Sequence, residues 1–209
     1  NYRLIKSSLN GKATIAAVVK ADAYGHGSIK IAEALLEEGV NFFCVARVEE
    51  ALELRQAGIN ADILVFSPPT DETRPAYLSY NLIATISDFQ QFEKAEKGMR
   101  VHINIDTGMG RLGILYYDLA RLEEYVNRFE KHISIEGIYT HFAEAEVPEK
   151  LLTQEQIIRF DEVCEHFKSK KWIIHQANSA AIPNIVASHR QMVRPGIALY
   201  GYDEGFSYK

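Results

Sequence analysis

The sequence predicts a (β/α)8 barrel, an α/β fold of the TIM type, and three observations carry that prediction. Eight short apolar runs recur along the 209 residues. Most of them are continuous rather than alternating, as parallel strands covered on both faces are. Amphipathic segments with recognisable ends lie between them. The structural alternative is an open doubly wound sheet. No GxGxxG follows a strand and opens a helix, which weighs against the dinucleotide-binding version of that sheet.

Taken in order, residues 1–10 read as a helix, and strand one covers 14–20. Ile31, Leu35 and Glu38 then form a helix that ends at Gly39, a C-cap glycine. Strand two covers 42–47, and the helix carrying Val48, Ala51, Leu52 and Arg55 ends at Gly58 in the same way. Strands three and four cover 63–67 and 82–87, and Ser87 with Gln90 has capping-box spacing. Strand five covers 101–106 and strand six 133–142. Thr153 and Gln156 repeat the capping-box spacing, opening a helix with Ile157, Phe160, Val163, Cys164 and Phe167 on one apolar face. Strands seven and eight cover 172–178 and 192–201. No helix follows strand eight, and the N-terminal helix is the segment available to cover that gap. With no linker, repeat or low-complexity tract, residues 1–209 are expected to form one domain.

Composition narrows the function. Hydrophobic residues make up 47% and charged residues 24%, enough for a sizeable core in a globular chain. The net charge of −5 offers no general attraction to phosphate backbones, so nucleic acid is not an expected partner. No apolar run approaches a membrane span. The start has neither signal-peptide architecture nor an initiator methionine, so the expectation is a cytoplasmic chain trimmed at its N-terminus. Cys44 and Cys164 lie far apart inside apolar patterns and read as reduced, buried thiols. The histidines lack metal-ligand spacing, so no metal site is expected.

The strand ends carry the chemistry. Lys20, Arg47, Ser67, Ser87, Asp106, His141, Asn178 and Arg194 fall on strands one to eight in turn, at the face where barrels build their sites. Lys20 is the most telling, because a lysine closing an apolar strand must be paired, exposed or deprotonated. A desolvated lysine is a good amine nucleophile and forms Schiff bases with carbonyl compounds, pyridoxal phosphate among them.

The stretch Ala17-Val18-Val19-Lys20-Ala21-Asp22-Ala23-Tyr24-Gly25-His26-Gly27 resembles the cofactor-attachment motif of alanine racemases. Four further blocks resemble that family in the same order. They begin at Asn104 (Asn-Ile-Asp-Thr-Gly-Met-Gly-Arg-Leu-Gly), Tyr139 (Tyr-Thr-His-Phe-Ala), His175 (His-Gln-Ala-Asn-Ser-Ala-Ala) and Arg194 (Arg-Pro-Gly-Ile-Ala-Leu-Tyr-Gly). The resemblance implies a barrel that binds pyridoxal 5'-phosphate and interconverts L- and D-alanine for peptidoglycan synthesis, working as a homodimer in its full length. It implies that Lys20 carries the cofactor and is one of two catalytic bases. Arg194 would face the pyridine nitrogen, with His141 beside the ring and hydrogen-bonded to that arginine. Such an arginine keeps its proton, so the ring becomes a weaker electron sink, which suits racemisation over transamination. Ser179, Gly196 and Ile197 would hold the phosphate with the Tyr24 hydroxyl, next to Asn178 where strand seven ends and a helix opens. Gly196 and Ile197 are expected inside strand eight. Arg111 would meet the substrate carboxylate.

Two departures from the family pattern stand out. Asn104 occupies a position where many members have a lysine that becomes carbamylated and holds the arginine matching Arg111. An asparagine cannot form that carbamate, so another anion or an amide hydrogen bond must serve. The family's second base, a tyrosine, comes from a C-terminal, mostly β domain, expected to be absent from a chain that runs only to Gly205-Phe206-Ser207-Tyr208-Lys209. The competing readings are a racemase for serine or another amino acid, and a single-domain protein that carries pyridoxal phosphate without catalysing racemisation.

Overall fold

The computed structural model describes residues 1–202; the chain end at 205–209 lies outside the described residues. The strands are β1 (Thr14–Val18), β2 (Phe42–Val45), β3 (Asp62–Val65), β4 (Ile83–Ile86), β5 (Arg100–Asp106), the two-residue β6 (Ile114–Leu115), β7 (Ser134–Tyr139), β8 (Ile173–Asn178) and β9 (Met192–Arg194). All pairings are parallel, and β1–β9 and β4–β5 contacts close the sheet into a barrel. β6 pairs only with the C-terminal end of β5 and adds no stave to the ring. The fold is therefore an eight-stranded TIM-type barrel, as the continuous apolar runs predicted.

Helices fill the connections: α1 (Tyr2–Ser8), α2 (Lys20–Gly25), α3 (Ser28–Glu37), α4 (Val48–Gln56), α5 (Arg74–Ser79), α6 (Phe89–Lys94), α7 (Leu119–Phe129), α8 (Leu151–His166) and α9 (Ala181–Asn184). The period of two along each strand divides the core. On β2, Phe43 and Val45 join the cluster under the helices, while Phe42 and Cys44 join Ala16, Val18, Leu64, Tyr139 and Met192 inside the barrel. On the opposite flank, Ile5 of α1 and Leu9, which caps it, are buried in one cluster with Val193 and Ala198, and Asn1 Nδ2 donates to Leu199 O at 2.9 Å. The N-terminal helix thus covers the β9 flank, as its position in the sequence suggested.

Several boundaries differ from expectation for identifiable reasons. β1 ends at Val18 and β7 at Tyr139, so Lys20 and His141 lie two residues beyond their strands. β9 stops at Arg194 because Pro195 has no N–H to continue the ladder. Gly196 and Ile197 therefore lie outside the strand; Ile197–Tyr200 is a 3₁₀ turn entered through Gly196. At α6 the cap is Asp88, whose carboxylate accepts Gln91 N at 3.0 Å, while Gln91 Oε1 accepts Ser87 N at 2.6 Å. Thr153 and Gln156 do not cap α8, which begins at Leu151. Both are fully buried and bind neighbouring loops instead. Among the described residues no helix is long and apolar enough to cross a membrane. Cys44 is buried, Cys164 is half-buried, and both are free thiols.

Candidate functional site

Lys20 opens a turn of unusual hand. Ala21, Asp22, Ala23 and Tyr24 have φ of 52°, 52°, 53° and 54°, so four consecutive non-glycine residues are left-handed. That conformation costs each L-residue roughly 1–2 kcal/mol, so the surroundings must hold it. Glu50, in the first turn of α4, accepts Ala21 N through Oε1 at 2.7 Å. Its Oε2 accepts Ala46 N at 2.7 Å and Arg47 N at 3.0 Å. Asp22 Oδ1 accepts Ser28 N at 2.7 Å and its carbonyl accepts Gly27 N at 3.0 Å. One carboxylate thus joins the loop after β1 to the loop after β2. Among the described residues no acid pairs with Lys20, whose Nζ lies 5.9 Å from the Tyr24 ring centre.

The turn directs Lys20 into a cavity of about 720 Å³ at the C-terminal ends of the strands, shared with Tyr24, His141, Asn178, Ser179 and Arg194. Gly196 and Ile197 line it as well. A second hollow of about 240 Å³ adjoins it through Lys20, Phe66 and His141, and contains Arg111, Asn104 and Asp106. Of the strand-end residues anticipated from sequence, Ser67 and Asp106 line this second hollow. Arg47 and Ser87 line neither cavity: Arg47 precedes α4 on the surface, and Ser87 is buried against Gln91.

At one wall, Ser179 Oγ accepts Gly196 N at 2.9 Å and Ala198 N at 3.2 Å. A Cβ on residue 196 would stand 2.4 Å from Tyr24 Oη, so only glycine lets the phenol approach this backbone. Burial, with the nearby Cys44, raises the Tyr24 pKa, and the phenol stays a hydrogen-bond donor at neutral pH. Asn178 Oδ1 accepts Ala181 N at 3.0 Å and starts α9. The helix begins with Asn178 as its anchor; Ser179 turns to the loop after β9.

Arg194 is 3% exposed and, among the described residues, has no carboxylate partner. Its Nη2 donates to Thr140 O at 2.7 Å and Gln176 O at 3.3 Å. Its Nη1 is 2.7 Å from His175 Nδ1. The imidazole partner of Arg194 is thus His175, and not His141 as the sequence reading expected. His141 stands on the cavity wall, where burial, Arg194, Arg111 and Lys20 lower its pKa to about 3. It is a neutral imidazole at neutral pH.

The loop carrying Arg111 is fixed from below. Asp106 Oδ1 accepts Gly108 N at 2.8 Å and Gly110 N at 3.1 Å. Asn104 Nδ2 donates to Leu112 O at 3.0 Å, so an amide hydrogen bond holds the residue after Arg111. Asn104 Oδ1 is buried and unpartnered. From α8, Gln156 Nε2 donates to Thr107 Oγ1 at 3.1 Å and His141 O at 2.9 Å, and its Oε1 accepts Ala143 N at 3.0 Å. Sequence reasoning missed Glu50, Gln156 and His175 as organisers of the site. For His175 a signal existed, since it shares the inward phase of β8 with Ile173.

A family model described as alanine racemase, N-terminal domain, matches residues 1–204. The chain belongs to this family. Alanine racemase of Carboxydothermus hydrogenoformans is 39% identical over 211 residues, covering 96% of this chain and 56% of that protein. Alanine racemase of Methanococcus maripaludis is also 39% identical, over 96% of this chain and 57% of its own length. The chain thus spans a little over half of the curated relatives it matches. Among solved structures, alanine racemase of Clostridium difficile in complex with cycloserine superposes with a TM-score of 0.91 at 33% identity. That match covers 97% of this chain and 58% of the other. Alanine racemase of Bacillus anthracis with bound L-Ala-P gives 0.87 at 32% identity, over 97% of this chain and 56% of that one. The alanine racemase N-terminal domain is a barrel, and its match spans the cavity from Lys20 to Ile197.

Proposed function

We propose that this chain holds pyridoxal 5'-phosphate on Lys20 and supplies one of the two bases of an alanine racemase. The reaction would be the interconversion of L- and D-alanine for peptidoglycan synthesis. One observation carries the reading: Lys20, an amine with no acid partner among the described residues, faces the same cavity as the buried Arg194 and the Gly196 turn. When bound, the cofactor supplies a carbonyl for the amine and an electron-withdrawing ring that loosens the proton on an amino acid α-carbon.

The residues present fit that group. Ser179 Oγ gathers the N–H groups of Gly196 and Ala198 at the cavity wall, and the glycine at 196 admits the Tyr24 hydroxyl beside them. Ser179, Gly196, Ile197 and Tyr24 would hold the phosphate, on the turn that Asn178 shapes. Arg194 would present an N–H to the ring nitrogen and keep its proton, because a guanidinium does not give one up. His141 would stand beside the ring as a neutral imidazole. Arg111 would pair with the substrate carboxylate, and Lys20 Nζ would move the α-proton on one face of the amino acid.

The base for the opposite face would come from the part of the relatives' length that this chain does not span, across a homodimer. Residues 1–209 act in this reading as a single cofactor-holding barrel domain, cytoplasmic and without nucleic-acid or membrane partners. The test is racemisation by the full-length protein. It should form D-alanine from L-alanine, and its Lys20→Ala variant should not. Faster turnover of L-serine would favour a different substrate, and cofactor binding without any racemisation would favour a carrier.

A further inference from the structure

Behind Arg194 the barrel interior holds a row of three basic side chains. Arg194 Nη1 lies 2.7 Å from His175 Nδ1, and His175 Nε2 lies 2.8 Å from His102 Nδ1. Both histidines are fully buried. His102 projects inward from β5, directly across from Gly137 on β7. A Cβ at 137 would come within 2.6 Å of the imidazole, so this ring position demands glycine opposite. The sequence holds a matched pair here, a buried histidine and the gap that admits it.

The direction of the protons along the row follows from elementary chemistry. A guanidinium has donors and no acceptor, so His175 Nδ1 must accept from Arg194. A neutral His175 then carries its proton on Nε2 and donates it to His102 Nδ1. His102 in turn carries its proton on Nε2, which is buried without a partner. An imidazolium in the row would set like charge against Arg194. The groups facing it are Arg100 on β5, Arg194 on β9, Cys44 on β2 and Tyr139 on β7, the last stacked on His175 at 4.8 Å. Burial raises Cys44 and Tyr139 to about 12, so neither offers an anion at neutral pH. Burial and these cations hold both imidazoles well below their usual range.

We propose that His102 is a positioning residue for Arg194: by accepting from His175 Nε2–H it fixes the His175 tautomer whose Nδ1 anchors the guanidinium at the cavity wall. The tautomer lock stands on the geometry alone. Its consequence for cofactor binding rests on the reading of Arg194 given above.

Long-range ¹H–¹⁵N spectra of the full-length, cofactor-free protein labelled at histidine nitrogen read the tautomers directly. His102 and His175 should both show the neutral Nε2–H pattern from about pH 6 to about pH 8. His102→Asn, whose Oδ1 replaces Nδ1 as acceptor, should leave the His175 pattern intact. His102→Leu should populate the Nδ1–H form of His175 and weaken pyridoxal phosphate binding about fivefold or more, the worth of one buried hydrogen bond. An Nδ1–H or protonated His175 in the parent protein overturns the proposal, as does an unchanged His175 pattern in His102→Leu. A shifted tautomer with unaltered cofactor affinity upholds the lock and contradicts the cofactor role of Arg194 instead.

Discussion

The carboxylate of Glu50 accepts the backbone N–H of Ala21 at 2.7 Å. This bond reaches from α4 to the residue after Lys20, at the start of a left-handed turn built from residues that do not favour it. Glu50→Ala leaves three backbone N–H groups, of Ala21, Ala46 and Arg47, without this acceptor. The expected loss is about 2–3 kcal/mol, a fall in Tm of roughly 5–10 °C for a domain of this size. Lys20 should also become misplaced, so turnover of the full-length protein should fall further than thermal denaturation explains. Calorimetry paired with a racemisation assay checks both parts.

Gly196→Ala places a methyl 2.4 Å from Tyr24 Oη. Tyr24 or the loop after β9 must move, at a cost of about 1–3 kcal/mol. The donor cradle moves with it. Fluorescence titration should show pyridoxal phosphate affinity reduced by about tenfold or more.

Gln156 satisfies Thr107 Oγ1, His141 O and Ala143 N from inside α8. Gln156→Leu keeps similar bulk and leaves His141 O and Ala143 N unpaired, while Thr107 Oγ1 keeps only Thr140 Oγ1, a loss of about 2–4 kcal/mol. Because the two loops carry Arg111 and His141, KM for alanine should rise along with the drop in urea midpoint. A midpoint within error of the parent protein would show that the clamp contributes nothing.

Stability should depend on acid through the buried imidazoles. His102 is lowered to about 3 and His175 well below 6.5, mainly by burial. An unfolded histidine binds a proton as pH falls through about 6.5 while the folded one stays neutral, so the unfolded state gains protons first. Their contribution is complete above that pH and is lost as pH falls toward the folded values. Each group removes about 1.4 kcal/mol per pH unit in that window, and with His141, also lowered to about 3, the three remove about 4 kcal/mol by about pH 5.5. Urea midpoints at about pH 7.5 and about pH 5.5 measure it, and His102→Asn should flatten the slope.

The barrel was legible because its strands are buried on both faces: runs such as 42–45 and 63–65 are apolar throughout and need no partner to be recognised. Gly39 and Gly58 end their helices with φ of 90° and 85°, a conformation glycine favours. The left-handed turn was hidden, since Ala21, Asp22, Ala23 and Tyr24 carry no local signal for positive φ and depend on Glu50 from another element. Thr153 and Gln156 misled because capping-box spacing also fits two buried polar residues on one helix face. The pairing of Arg194 with His175 depends on which imidazole crosses the barrel, a matter of packing between β8 and β9. His102 was hidden inside the apolar run of β5, although it shares the inward phase of Asn104 and Asp106.

The central claim is that Lys20 bears the cofactor, and borohydride reduction tests it most directly. The full-length protein, saturated with pyridoxal phosphate, reduced and digested, should yield a stable pyridoxyl adduct on the peptide containing Lys20. An adduct on a different lysine, or none at all, would contradict the account.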